Sequence, residues 1–446
     1  MTAHLLNLLS DLLDHTKRAG ADAADVLFLS GTAVNVDVRN DVVETLERSE
    51  SQGLELRVFV GKKNATVFTT TIDPSRFKDF VERTIAMARI LPEDHYAGLA
   101  PQALTGVFES NTLALEDPVE PSTAHLLERA RHGENAALAI TGVTNSAGSS
   151  ASWHKTQIAL ATSAGFTGTY YKTSHANSVC VLAGTGQDMQ RDYDYHQTVW
   201  LEDLTEAAVL GHNAGQQAVA RLNPTRPRTG HYPVVFHPRV ASSFLSYFIR
   251  AINGAAIARG TSFLKDSLGQ KVFAQGVHIT DDPHRMRGLH SCPFDGEALS
   301  IAPLHLVQDG VLNTWILDSR SARQLGLQSN ARAARNLHGP PTPSATNLFF
   351  EAGTCSPQEL MSDITEGIYV TEMMGSAVNL LTGDYSRGAT GFMIRHGQIA
   401  EPITEFTLAG HLREIFSSLT LAHDLSFRFG VDAPTVRVDA LNLAAA

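Results

Sequence analysis

Three glycines, an acid, a phenol, a guanidinium and several hydroxyls fall within the run Thr382-Gly383-Asp384-Tyr385-Ser386-Arg387-Gly388-Ala389-Thr390-Gly391-Phe392. Glycine permits positive φ and close approach of the backbone to another surface. A glycine-rich loop with this much polar chemistry, set between strands, is a natural place for a site or an interface. Asp384, Tyr385, Ser386, Arg387 and Gly388 are its candidate residues. The same composition also suits a β-bulge or tight corner that holds strands together, and composition leaves both readings open. Ser386 with His396 nearby offers a hydroxyl and a base, but a serine nucleophile also needs a third, orienting group that sequence proximity does not supply. Pairing of Asp384 and Arg387 with each other or with backbone would make the loop a rigid structural element instead.

A second cluster of potential ligands is His278, Asp281, Asp282, His284, His290 and Cys292. Its donor types would suit zinc or a related ion. The spacing is irregular, and Asp282-Pro283 with Gly288 makes the segment a turn, where Asp and His are commonly solvated. No H-E-x-x-H helix pattern occurs despite 19 histidines. No G-x-S-x-G elbow, no lysine after a phosphate-cradling glycine loop and no C-x-x-C pair is present either.

The elements that must position these residues alternate between helical and strand periodicity. Leu5, Leu8, Leu9, Leu12 and Leu13 line one face of a first helix that ends at Gly20. Short strands are expected at 24–29, 34–38, 54–60 and 65–70, then a helix at 75–89 opened by Asp73-Pro74. A connection runs from Pro92 to Pro121. A helix follows at 122–139, strands at 140–149, 152–161 and 166–182, and a long helix at 202–220. The segment 221–230, with two prolines and three arginines, reads as a linker. Beyond it lie a strand at 232–236 and a helix at 238–252 started by Pro238. A hairpin turning at Asp309-Gly310 joins 299–307 to 311–317, and a short helix at 319–325 stops at Gly326. Strands at 392–395 and 399–403 hinge at His396-Gly397, a helix is expected at 407–417, and strands at 425–429 and 435–438 follow. The class is α+β: two domains, 1–222 and 223–446, each of antiparallel or mixed sheet packed with helices.

The chain has 446 residues, 43% apolar and 18% charged, which is ordinary globular composition. Lys and Arg total 35 against 46 Asp and Glu, a formal net charge of −11, and no basic stripe appears. A nucleic-acid partner is therefore disfavoured. No apolar run is long enough to span a bilayer. The first residues lack a positive n-region, and Asp11 and Asp14 interrupt any signal-like core. Three scattered cysteines, Cys180, Cys292 and Cys355, argue for a reducing compartment, so the chain is expected in the cytoplasm.

The run 382–392, continued by His396-Gly397-Gln398-Ile399-Ala400-Glu401-Pro402-Ile403 and Glu405-Phe406-Thr407-Leu408-Ala409-Gly410-His411-Leu412, closely resembles the TldE (PmbA) branch of the TldD/TldE metalloprotease family. Phe263-Leu264-Lys265-Asp266-Ser267-Leu268-Gly269, Pro293-Phe294-Asp295-Gly296-Glu297, Ser321-Ala322-Arg323-Gln324-Leu325-Gly326 and Thr371-Glu372-Met373-Met374-Gly375 extend it. So do Asp309-Gly310-Val311-Leu312, Gly20-Ala21-Asp22-Ala23-Ala24 and Arg191-Asp192-Tyr193-Asp194-Tyr195. The resemblance covers nearly the whole chain. The family's older label, modulator of DNA gyrase, gains nothing from the charge balance here.

In the catalytic TldD branch, the resemblance implies, an HExxxH helix and a late cysteine hold zinc. At the matching places this chain has Leu245 and Arg250 for the histidines, Ser246 for the glutamate and Gly430 for the cysteine. Leucine and glycine offer no ligand atom, arginine adds positive charge, and no general base remains. The expectation is a non-catalytic subunit with neither metal nor catalytic residue of its own. Zinc would reside in a TldD-like partner, and extended peptides would enter a chamber that the 384–388 loop helps to enclose. Two other readings stand beside it: a diverged hydrolase using Ser386 or the 278–292 cluster, and a homodimeric module that captures peptides by strand addition.

Overall fold

The computed structural model describes residues 2–107, 110–375 and 377–445. Helix Thr2–Arg18 turns Leu9, Leu12 and Leu13 inward, as its leucine spacing requires, and stops before Gly20 at φ 91°. All strands up to residue 198 join one antiparallel six-stranded sheet, in the order 63–69, 42–60, 23–39, 143–162, 167–183, 190–198.

Four of these strands run 17 to 20 residues; 167–183 is as long as the sequence suggests, and the other three are longer. Ser30-Gly31-Thr32 reads as a break, yet Gly31 pairs with Ser51 on one side and Thr156 on the other. A ladder on both edges overrides local turn composition. The hairpin 23–60 turns at Asn40 and Asp41, both at positive φ, and Glu134 accepts both of their backbone N–H groups at 2.8 Å. Helices Thr123–Leu138 and Ala207–Ala220 cover part of this sheet. They cross at Gly133 and Gly211, where a Cβ on Gly211 would overlap the Gly133 carbonyl.

In the second half, strand Gly230–Phe236 lies parallel to Glu366–Met374 and antiparallel to Val436–Ala445. Asp384–Arg395 pairs with Glu366–Met374 and with Gln398–His411. Residues 406–409 then pair back onto 442–445 and close these five strands into a ring. Helix Pro238–Ala251 buries Val240, Ala241, Phe244, Leu245, Tyr247 and Phe248 against it. A smaller mixed sheet is built from 279–281, 304–308, 311–312, 348–350 and 431–432. The fold is α+β. No helix among the described residues is long and apolar enough to cross a membrane.

Three expectations need correction. The 384–392 stretch is not a loop: from Asp384 it is strand, with register shifts between Ala389 and Gly391 and between Phe392 and Ile394. Of its glycines, Gly391 falls at such an irregularity, Gly388 pairs regularly with Thr407, and Gly383 precedes the strand. Residues 407–411 continue a strand, and the helix starts only at Leu412, capped by His411. Residues 425–429 form no strand; Asp432 instead accepts the backbone N–H groups of Arg428, Phe429 and Gly430.

Candidate functional site

The candidate site is the face where helix Pro238–Ala251 meets the 384–395 strand. Alternation along the strand sends Tyr385 and Arg387 toward the helix. The Tyr385 ring packs edge-on to Tyr247 at 6.1 Å and tilted to Phe244 at 6.2 Å, and its hydroxyl lies 3.0 Å from Met373 Sδ. Burial pushes the Tyr385 phenol well above its ordinary range. Arg387 donates to the Tyr247 hydroxyl and, through Nε, to the Met374 carbonyl at 3.1 Å. Asp384 and Arg387 do not pair. Asp384 accepts from Thr382 Oγ1 at 2.6 Å. Ser386 and His396 sit at opposite ends of one strand, roughly 30 Å apart at about 3.3 Å per residue, so a Ser–His dyad is ruled out.

The positions that the resemblance aligns with zinc ligands differ in exposure. Leu245 is fully buried in the core, whereas Ser246 and Arg250, one and five residues on, face solvent. Gly430 has φ 78°, and a Cβ there would meet the His290 ring at 2.6 Å. An isobutyl group, a hydroxyl, a guanidinium and a hydrogen do not fit zinc. Among the described residues no three His, Cys, Asp or Glu side chains group so as to hold a metal ion.

The 278–292 candidates disperse as well. Asp281 is buried in an ion pair with Arg332 and accepts from Thr346. His290 lies between Thr346 and Gly430, Cys292 borders a cavity on the N-terminal sheet, and the His278 ring faces the Asp309 amide. Only His290 and Cys292 share a surface, the wall of that cavity.

Motifs distant in sequence meet at two junctions instead. Gly383 (φ 92°) fits under the His411 ring, which lies edge-on to Phe263 at 6.2 Å. The Leu412 N–H donates to Gly383 O at 2.8 Å, the Phe263 N–H to Leu380 O at 2.9 Å, and His411 Nε2 lies 2.9 Å from Thr382 O. The second junction is ionic and ties the N-terminal sheet to the ring. Buried Asp192 accepts from Arg239 Nη1 at 2.8 Å, from Arg221 Nη1 at 3.1 Å and from the Tyr193 N–H at 2.8 Å. Arg221 also donates to Glu372 and to Thr390 Oγ1, each at 2.6 Å. Burial acts to raise the Asp192 carboxyl, but Arg239 and Arg221 outweigh it and hold it below the usual carboxylate range. Sequence reading missed this hub because Arg221 fell in the segment read as a linker and nothing local marks Arg239 as a partner of Asp192. The charged residues inside Arg191–Tyr195 and Thr371–Gly375 were the available signal.

Residues 24–88, 116–222 and 229–445 match, in turn, PmbA/TldA metallopeptidase domain 1, the central domain and the C-terminal domain. The chain is 31% identical over 426 residues to Metalloprotease PmbA of Escherichia coli O157:H7, covering 95% of this chain and 92% of that protein. It is 30% identical over 429 residues to the Metalloprotease PmbA homolog of Haemophilus influenzae, covering 96% and 93%. In fold it is similar to the crystal structure of TldE from Thermococcus kodakarensis, with a TM-score of 0.86 and 16% identity over 98% of this chain and all of that one. A Bacteroides thetaiotaomicron structure that carries a DNA-gyrase-modulator label has a TM-score of 0.91 at 24% identity, covering 99% and 98%.

Proposed function

Because this chain belongs to the PmbA/TldD metallopeptidase family, we propose that it is a TldE-like subunit without zinc chemistry of its own, completing a peptidase with a TldD-like partner. The observation that carries this reading is the placement of Leu245 in the core, with Ser246 and Arg250 turned to solvent and Gly430 under His290. Catalytic zinc needs three protein ligands and a base acting on its water, and none of these side chains supplies either role. In the proposed assembly the partner holds the zinc, and this subunit shapes the chamber that receives an extended peptide. Tyr385, Arg387 and Tyr247 would fix the wall around the exposed Ser246 and Arg250. Three free cysteines suit a reducing compartment, and the proposal places the work in the cytoplasm.

The test is to purify the chain alone, its TldD-like partner alone, and both together, and to follow cleavage of an unstructured peptide alongside elemental analysis for zinc. The expected result is a chain that binds no stoichiometric zinc and cuts nothing alone, with chelator-sensitive cleavage when the two subunits are mixed. Zinc-dependent cleavage by this chain alone would overturn the proposal. So would peptide binding by a homodimer that ignores the partner.

A further inference from the structure

The face of the N-terminal sheet turned toward the second half of the chain carries an apolar patch, flanked by the ion-paired Asp25, Glu55 and Arg57 on one side and Lys172 on the other. The register sets Leu27 beside Leu160, Leu29 beside Ile158, and Ile158 beside Tyr170, with Lys172 two residues further along the same strand. Opposite this face stand Cys292, Phe294, Asp295, Ile301 and residues 331–335 and 344–346. Between the two walls is a half-enclosed cavity of about 380 Å³, within the size range of small-molecule sites. No residue of helix Pro238–Ala251 lines it.

The charges around this cavity are committed, with one exception. Arg332 is spent on Asp281 and on the carbonyls of Ala302, Asn330 and Ala331. Arg335 pairs with Asp25 at 2.8 Å and Glu55 at 2.7 Å. Asp295 accepts the backbone N–H groups of Glu297, Leu299 and Ala333. Lys172 has no carboxylate partner among the described residues, and its ammonium makes a single long hydrogen bond, 3.4 Å, to Ser291 O. The Tyr170 hydroxyl on the same wall has no hydrogen-bond partner among the described residues. Burial lowers the Lys172 ammonium to about 8. Even half-buried, a cation without a counter-charge loses hydration that nothing in the fold replaces. A ligand that brings one negative charge and an apolar body would relieve that cost and fill the space.

We propose that this cavity binds a small monocarboxylate with an apolar tail, its carboxylate on Lys172 and its tail against Leu27, Leu29, Ile158, Leu160 and Phe294. The Tyr170 hydroxyl, on the same wall, would donate a second hydrogen bond to that carboxylate. A single ammonium without a carboxylate partner matches one negative charge, whereas the guanidinium groups on the wall already carry counter-charges, Arg332 from Asp281 and Arg335 from Asp25 and Glu55. The site is independent of the proposed role in peptide cleavage.

The probe is octanoate, compared with 1-octanol as a neutral tail of equal length, each titrated calorimetrically into the full chain. Octanoate is expected to bind on the order of tenfold more tightly than octanol, the worth of one charge-assisted hydrogen bond. Lys172→Met should reduce octanoate to the level of octanol, and Lys172→Arg should keep the preference. Location is read by brief acetic anhydride treatment and peptide mass spectrometry: octanoate should protect Lys172 and leave the exposed Lys62 and Lys78 unchanged. Equal binding of the two probes, no binding of octanoate, or binding that leaves Lys172 unprotected would each overturn the proposal. The protection readout uses the unmodified chain, so it decides the matter even if Lys172→Met does not fold.

Discussion

Asp192→Ala should be among the most damaging single changes outside the apolar core. The carboxylate is 1% exposed and accepts from two guanidinium groups, those of Arg221 and Arg239, which are themselves largely buried. Removing one member of such a group leaves uncompensated buried charge, a cost of about 3–5 kcal/mol. Arg221 keeps Glu372 at 2.6 Å, and Arg239 keeps Gln217 at 2.9 Å, so the lower end, about 3 kcal/mol, applies. The assay is guanidinium unfolding of the wild type, Asp192→Ala, Arg239→Met and the double variant. The double variant should lose less than the sum of the two single changes, because removing Arg239 also removes one stranded cation. The carboxyl is held below its unfolded value of about 3.9. Its contribution is therefore complete above about pH 4 and is lost as pH falls through the lower folded value. Asp192→Asn should lack that acid-side step. A loss under about 1 kcal/mol for Asp192→Ala, the range of an exposed pair, would refute the reasoning.

Three further outcomes follow from the same geometry. Gly391→Ala would drive a methyl into the Tyr369 carbonyl and should cost about 3 kcal/mol in denaturant unfolding, whereas Gly388→Ala meets nothing nearer than Met374 Cβ at 3.6 Å and should stay within about 0.5 kcal/mol. His237 caps its helix by accepting the Arg239 N–H on Nδ1, and burial lowers it to about 4. Its folded value lies below its unfolded one, so stability should decline as pH drops from about 6.5 toward 4; His237→Asn, which can still cap, should flatten that slope in a pH series of melting temperatures. Installing Leu245→His, Ser246→Glu, Arg250→His and Gly430→Cys together should not create a zinc site by elemental analysis. The first substitution would point into the core and destabilise by about 2–5 kcal/mol, and the last would sit at φ 78° against His290.

Helices with a clear apolar stripe and a stop signal were legible in the sequence. Ser319–Leu325, capped by Asp318 and ended by Gly326 at φ 68°, is found where the residues place it. So are the turns at Asp309-Gly310 and His396-Gly397, whose positive φ values explain the residues chosen there. The strand at 167–183 was legible at its full length, whereas those at 23–39, 42–60 and 143–162 were read short or broken. Polar breaks such as Ser30-Gly31-Thr32 look like turns until neighbours on both sides supply the ladder. The 384–392 stretch misled for a related reason: its glycines serve close approach, Gly391 to Tyr369 and Gly383 to His411, rather than freedom of a loop.

What the sequence determined by itself was chemical identity: which side chains exist at each place, and hence that Leu245, Ser246, Arg250 and Gly430 bring no zinc-binding set. Those facts reside in covalent structure and need no fold. The tertiary structure alone decided which groups share a neighbourhood. It joined Asp192 to Arg221 and Arg239, parted Ser386 from His396, and left Lys172 without a counter-charge above an apolar wall. Such pairings depend on chain reversals and sheet register over tens to hundreds of residues, and local residue preferences carry no information at that range.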